Sequence, residues 1–296
     1  MYNSNNLPNN SISTQIFNGN SGDLQIWRKP PGTQLVHIIC IGAGGGGGGG
    51  TTRASGVAGG GGAGGGSGAI TNMTVDGFLC PDYLNVFVPQ GGLGGGPGAT
   101  GSSGDRSYVS IPLMGAYAYG GSVLIQSGNT LAIGGGGGKA AAASTGGAAS
   151  NIFVSPTFGA YGNWISIGGQ AGSNGSATTA GISVTWGTLF ISGGAGGAGM
   201  AATNVVTSGG AITAPASGIF QTFNVTAAGS NGISGINILK PFPIFSGGSG
   251  GASSNVGPGG SGGKAGIGSG GGGGAAGLTG GNGGDGGDGL VIITCI

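Results

Sequence analysis

Apolar residues in this chain come in short bursts, and each burst runs into glycine or out of it. Residues 35–41 (Leu-Val-His-Ile-Ile-Cys-Ile) enter the glycine-rich stretch 42–50, residues 84–88 precede 91–98, and 123–133 enter 134–138. Residues 164–167 meet Gly168, 181–191 enter 193–199, and the stretch 280–289 leads into the closing apolar segment 290–296. This alternation is a loose internal repeat without a fixed period. The bursts are short and β-branched, which predicts buried strands. Residues 140–149 are the one alanine-rich helix candidate, weakened by their Ser, Thr and paired glycines. The pattern predicts a mostly β and irregular fold with almost no α-helix.

The glycine runs have a period of their own. Residues 280–289 repeat Gly-Gly-X three times in phase, with Asn282, Asp285 and Asp288 at X; 259–264 repeat it behind Pro258, and 193–198 repeat it with Ala195 and Ala198. A period of three matches an extended helix of the polyproline-II type, which has three residues per turn and no internal hydrogen bonds. With no Cβ at two positions in three, such a helix can press two faces on its neighbours and point X outward. Collagen does not fit, because it needs glycine at every third place with proline-rich partners. Ordering a glycine costs roughly 0.5–1 kcal/mol more than ordering an alanine, and buried N–H and C=O groups need partners. A lone run meets neither demand, whereas side-by-side packing meets both. The expected architecture is a bundle of packed polyglycine-II helices with short flanking β-strands. Residues 12–296 would form a single glycine-rich domain behind a flexible N-terminal arm of residues 1–11.

Composition sharpens this picture. Glycine (83 residues) and proline (12) together make about a third of the chain, a level that often signals disorder. Against disorder, 37% of the residues are hydrophobic and only 4% are charged, the reverse of a disordered composition. The net charge is +1, and the seven basic residues are scattered from Arg28 to Lys264. No basic patch exists for phosphate contacts, so nucleic-acid binding is not expected. Three cysteines, Cys40, Cys80 and Cys295, leave at least one unpaired and argue against a disulfide scaffold. The first residues lack a signal-peptide pattern, and no apolar run is long enough for membrane insertion. A chain synthesised in a host cytoplasm without a signal peptide, yet composed like a surface protein, fits a virion surface component released by lysis.

Low complexity generates motif-like strings that lack the surrounding chemistry. Ser249 and Ser261, each flanked by paired glycines, match the serine-hydrolase elbow in letters, but no helix signal follows and the chain holds a single histidine. Gly138-Lys139-Ala140 and Gly263-Lys264-Ala265 lack the hydroxyl and the leading glycine of a phosphate-binding loop. Residues 283–291 match one calcium-binding nonapeptide, but 274–282 do not, and calcium there is shared between successive repeats; Asp285 and Asp288 read as outward side chains on a surface glycine helix. No Cys/His spacing suits a metal. His37 shares a strand face with Ile39 and Ile41 and reads as structural. No catalysis, metal or cofactor is expected.

Recognition surface is what remains. Aromatic residues fall outside the glycine runs, and rigid aromatics dominate binding hot spots. Tyr117 and Tyr119, between Gly115 and Gly120, are the leading receptor-contact candidates, followed by Tyr108, Tyr161 and Trp164. The competing reading is that these rings pack the flanks of the glycine core. Residues 240–245 (Lys-Pro-Phe-Pro-Ile-Phe) form a stiff extended segment suited to a loop or a subunit contact.

Both ends of the chain resemble a known family. Ile26-Trp27-Arg28-Lys29-Pro30-Pro31-Gly32, then Val36-His37-Ile38-Ile39, then Ile41 followed by glycines, resembles the opening of the glycine-rich domain of phage tail-fibre proteins. Residues 283–293 are similar to that domain's close; between roughly 50 and 277 only the glycine habit is shared. Tip adhesins of some long tail fibres are similar in stacking polyglycine-II helices and contacting a host receptor through loops at one end. The resemblance implies that 36–41 and 290–296 lie close together, bringing Cys40 near Cys295 as buried thiols. It implies a tail-fibre tip or receptor-binding adhesin whose partners are other virion proteins and a host surface receptor, with homo-oligomers allowed. The alternatives are a capsid fibre, spike or decoration protein and, from another class, an ice-binding protein.

Overall fold

A computed structural model describes residues 12–19, 23–111, 130–134, 145–148, 162–186, 191–213, 224–239 and 243–296. Among them there is no helix. The strands are β1 (Ser13–Asn18), β2 (Leu24–Arg28), β3 (Leu35–Ile41), β4 (Ile70–Asp76), β5 (Tyr83–Phe87), β6 (Ser107–Ser110) and β7 (Thr130–Gly134). They continue as β8 (Gly162–Ile167), β9 (Val184–Thr185), β10 (Ile212–Thr213), β11 (Asn237–Ile238), β12 (Ile244–Phe245) and β13 (Leu290–Cys295). The protein is mostly β and irregular, as its sequence pattern predicts. Of the alanine-rich stretch, 145–148 are not helical and the other residues lie outside the described ones, as does the arm 1–11.

Two antiparallel sheets share one core. The larger has the order β1-β13-β3-β4-β8 and the smaller β2-β5-β6-β7. Strand β3 alternates as the pleat requires: Val36, Ile38 and Cys40 are fully buried between the sheets, while His37 and Ile39 are half-buried on the other face. Trp27 and Leu84 from the smaller sheet, and Met73, Val75 and Ile293 from the larger, fill the same core. The opposite face of the larger sheet is covered where Ile41, Ile70 and Leu290 pack on Ile191 and Phe245. Phe245 closes the apolar segment 240–245, and it is a core residue rather than a loop or subunit contact.

The chain ends meet as the resemblance implied: β13 pairs antiparallel with β3, Leu290 opposite Ile41 and Cys295 opposite Val36. The cysteine expectation fails on register. Cys40 lies opposite Val291, four positions along the ladder from Cys295, a separation of about 13 Å at strand rise. Cys295 instead lies close enough to Cys80 to act on its ionisation, and all three cysteines are buried thiols outside any disulfide.

Glycine runs leave the strands and return in alternating directions. Run 42–50 continues β3 away from the sandwich, and 59–69 returns into β4; run 270–276 goes out beside them, and 279–289 returns into β13. Run 270–276 shows how they pack. Gly270, Gly273 and Ala276 donate to Ser192, Ala195 and Ala198; Gly271 and Gly274 donate to Gly45 and Gly48; Gly272 and Ala275 donate to Gly263 and Gly260. Its carbonyls accept from three further runs, through Gly248, Gly251 and Ser254, through Gly65 and Gly62, and through Gly284 and Gly281. All of these bonds measure 2.7–3.1 Å, so one extended run is bonded to six neighbours. Glycine is required by the spacing: a Cβ at Gly274 would overlap the carbonyl oxygen of Gly281, and one at Gly62 that of Gly48.

Side chains complete the backbone network at its margins. Asp288 and Asp285 do not simply point outward: their Oδ1 atoms accept from the N–H of Gly91 (2.8 Å) and Gly94 (2.9 Å). Asn174, Asn231 and Asn237 do the same for Gly146, Ser261 and Ile267. Inside, buried serine hydroxyls replace carbonyls. Ser249 Oγ accepts from the N–H of Ile233 at 2.7 Å, and Ser192 Oγ accepts from that of Gly247 at 2.8 Å.

Candidate functional site

Because the runs alternate in direction, several turns collect at the end away from the sandwich: 52–58, 201–207, 254–258 and 277–279. Their sequences are mostly small residues with one or two aliphatic residues each, and two of them, 201–207 and 254–258, also carry an Asn. The glycine network ends here, and the turns are tied to one another by their own polar groups. Asn204, in the left-handed region at φ 60°, is the centre of the ties. Its Oδ1 accepts from Arg53 Nη2 at 2.6 Å and from the N–H of Gly56 at 3.2 Å. Its Nδ2 donates to Ser55 Oγ at 3.3 Å, and its backbone carbonyl accepts from Asn255 Nδ2 at 3.2 Å.

Arg53 is only 5% exposed. Its Nη1 donates to the carbonyls of Val57 and Ala54, and its Nη2 also reaches Met200 Sδ. No carboxylate is among these partners, and Nε is buried without a partner. Backbone bonds from Arg53 to Gly277 and from Leu278 to Gly257, with the bridges Thr52–Gly277 and Pro258–Thr279, join the remaining turns.

The outward result is an apolar crown. Val57, Val205, Val256 and Leu278 stand exposed, Val256 at 81%. The only charged side chain in the four turns is Arg53, and it is buried beneath them. Such a surface is held before any partner arrives, which reduces the ordering cost of binding. It offers apolar contact, hydroxyls such as that of Ser55, and backbone polar groups. Among the described residues, no group of three His, Cys, Asp or Glu could hold a metal ion, and no helix is long and apolar enough to cross a membrane.

The aromatic candidates are placed differently. Tyr117, Tyr119 and Tyr161 lie outside the described residues. Trp164 sits in β8, opposite Met73 of β4. Tyr108 is 4% exposed in β6, and its ring stacks on Phe87 with centroids 5.0 Å apart. Burial, then the Asp105 charge, raises its phenol pKa. Tyr108 is therefore a packing residue and cannot present its ring to a receptor, the competing reading of the aromatics. Trp186 is buried likewise. The crown was missed because its aliphatic residues come singly or, at Val205-Val206, as one pair within small-residue stretches; the available signal was a β-branched residue beside Asn or Gly at three of the four turns.

Residues 19–295 match the model of a family described as a glycine-rich domain. No curated protein matches the chain.

Proposed function

We propose a function on the premise that this chain belongs to the family of glycine-rich domains: it is a phage structural protein, a tail-fibre tip or receptor-binding adhesin, that contacts the host surface through turns on a polyglycine-II core. The donors that repeat at every third residue, aimed in three directions from one run, support the polyglycine-II assignment. The observation that carries the adhesin reading is the crown: four short turns, cross-tied through Asn204 and Arg53, hold exposed aliphatic residues at the end of a rigid bundle. A binding tip needs this division between a framework that does not yield and small surface elements that do the touching. Its partners would be other virion proteins behind it and a host surface receptor in front. The chain would act on the virion surface and carry out no chemistry.

Immunogold electron microscopy of purified virions, with antibody raised against the purified chain, tests this reading. Label at fibre tips is the expected result. Label over the capsid would replace the adhesin by a fibre or decoration protein, and particles without label would end the virion reading.

A further inference from the structure

The pole opposite the crown holds a groove that the adhesin reading does not use. It measures about 1220 Å³ and lies between the β2–β3 turn and the β4–β5 loop. Both walls are stiff. Pro30 and Pro31 fix the backbone of the first. Lys29 braces the second: its Nζ donates to the carbonyls of Gly77 (3.0 Å) and Cys80 (2.6 Å) and pairs with Asp82 at 3.0 Å. On this braced loop Phe78 stands 93% exposed, and Tyr83 is about half exposed at the same lip. Arg28 lies 5.8 Å from the centroid of the Tyr83 ring. Gln15, Gln34 and Asp76 supply exposed polar side chains to the lining. Four of the chain's thirteen charged residues (seven basic, six acidic) converge here, and they balance: Arg28 and Lys29 against Asp76 and Asp82.

We propose that this groove binds a neutral oligosaccharide of two or three hexopyranose rings. An anionic ligand would meet two carboxylates, with the Lys29 ammonium already engaged and Arg28 over a ring. A cationic ligand would meet Arg28. A neutral polyhydroxyl ligand meets neither penalty. The C–H face of a pyranose is apolar and weakly positive, and it suits the negative face of an aromatic ring. The primary amides of Gln15 and Gln34 and the carboxylate of Asp76 can each bond two adjacent hydroxyls, amides as donor and acceptor together. The groove is at or above the roughly 300–1,000 Å³ of ordinary ligand clefts, room for more than one sugar ring. Phe78 gives the ligand a stacking platform that the fold does not bury for itself.

The test is titration of the full chain with neutral trisaccharides of glucose, mannose, galactose and N-acetylglucosamine, and with sialyllactose as the anionic control. Binding is followed by calorimetry and by ligand-observed NMR. The variants are Phe78→Ala and Gln34→Ala, both at exposed positions, with unchanged melting confirming their fold. The expected result is saturable binding of at least one neutral trisaccharide, weakened tenfold or more by Phe78→Ala and severalfold by Gln34→Ala, with none of sialyllactose. Absence of saturable neutral binding, a preference for sialyllactose, or binding indifferent to Phe78→Ala would overturn the proposal. So would a sedimentation result in which the wild type is a dimer and Phe78→Ala a monomer, which would make this pole an interface between copies. The crown is at the other end, so any of these failures leaves the adhesin reading standing.

Discussion

Arg53 and Asn204, 151 residues apart in the chain, meet at the turn end of the bundle through an Nη2 to Oδ1 hydrogen bond of 2.6 Å. The guanidinium is buried with carbonyls, an amide and a thioether around it and no carboxylate. Hydrogen bonds to a charged group contribute about 1.5–3 kcal/mol each when buried. Arg53→Met therefore destabilises the protein by about 2–3 kcal/mol, net of the charge no longer buried, measured by urea denaturation. Arg53→Lys, which reaches fewer partners, loses part of that.

Crown residues are exposed, so their removal separates binding from folding. Changing Val57, Val205 and Val256 together to Ser leaves the melting temperature within about 2 °C, because exposed substitutions are usually within 0.5 kcal/mol each. Host adsorption, measured as the fraction of particles bound per unit time, falls tenfold or more. Unchanged adsorption would remove the crown as the contact surface.

Two glycine-to-alanine changes have opposite outcomes. Gly274→Ala drives a methyl into the Gly281 carbonyl within a backbone lattice that has no side chain to move aside, and costs roughly 3 kcal/mol or more. Gly96 is exposed, free of left-handed strain, and has nothing near its Cβ position; Gly96→Ala gains about 0.4–1 kcal/mol by restricting the unfolded chain. Paired denaturation curves check both.

The acidic residues of the last run act as acceptors for neighbouring amides. Replacing Asp285 and Asp288 together by Ala lowers stability by about 1–2 kcal/mol, whereas Asn at both positions, which keeps an oxygen acceptor, costs less. Adding calcium or EDTA leaves the melting temperature of the wild type unchanged, since the carboxylates serve the amides of Gly91 and Gly94.

Alkaline pH should weaken the fold at Cys80. Burial raises its thiol from 9.0 to about 11, Lys29 opposing, with small additions from Cys295 and Asp82. The unfolded thiol ionises first, so the stabilisation is complete below pH 9 and is lost as pH climbs toward 11. The loss is roughly 1–2 kcal/mol once partial solvent screening is allowed for. Urea midpoints from pH 8 to 11 show the decline, and Cys80→Ala flattens it. The same burial keeps native Cys80 slow toward iodoacetamide at pH 8.

The legible part of the fold was the part with side chains in sequence. Strand β3 shows seven apolar or aromatic-sized residues before a glycine run, and β13 mirrors it at the other end. Strand β4 was not anticipated, because Thr71, Asn72 and Thr74 interrupt its apolar positions; in the sheet Thr71 is buried and bonded to Ser166 Oγ. Strand β6 is four residues long and begins and ends in serine. The Gly-Gly-X period announced runs that pack against neighbours, but which runs touch is decided by backbone geometry common to all of them. The crown was harder still. Arg53 looked like one of seven scattered bases, and its role depends on Asn204, which no local pattern connects to it.

The bonding of run 270–276 has a consequence for how such a chain can change length. Successive residues address three different neighbours in rotation, so each run has, in effect, a reading frame. One inserted residue would turn every later donor toward the wrong partner and move Ala276 into the place of Gly277, where a Cβ would overlap the backbone nitrogen of Gly259. An insertion of three restores the rotation, displaced by one turn. The crown turns obey no such count, so length variation among descendants of this chain should be free at the tip and come in threes within the runs.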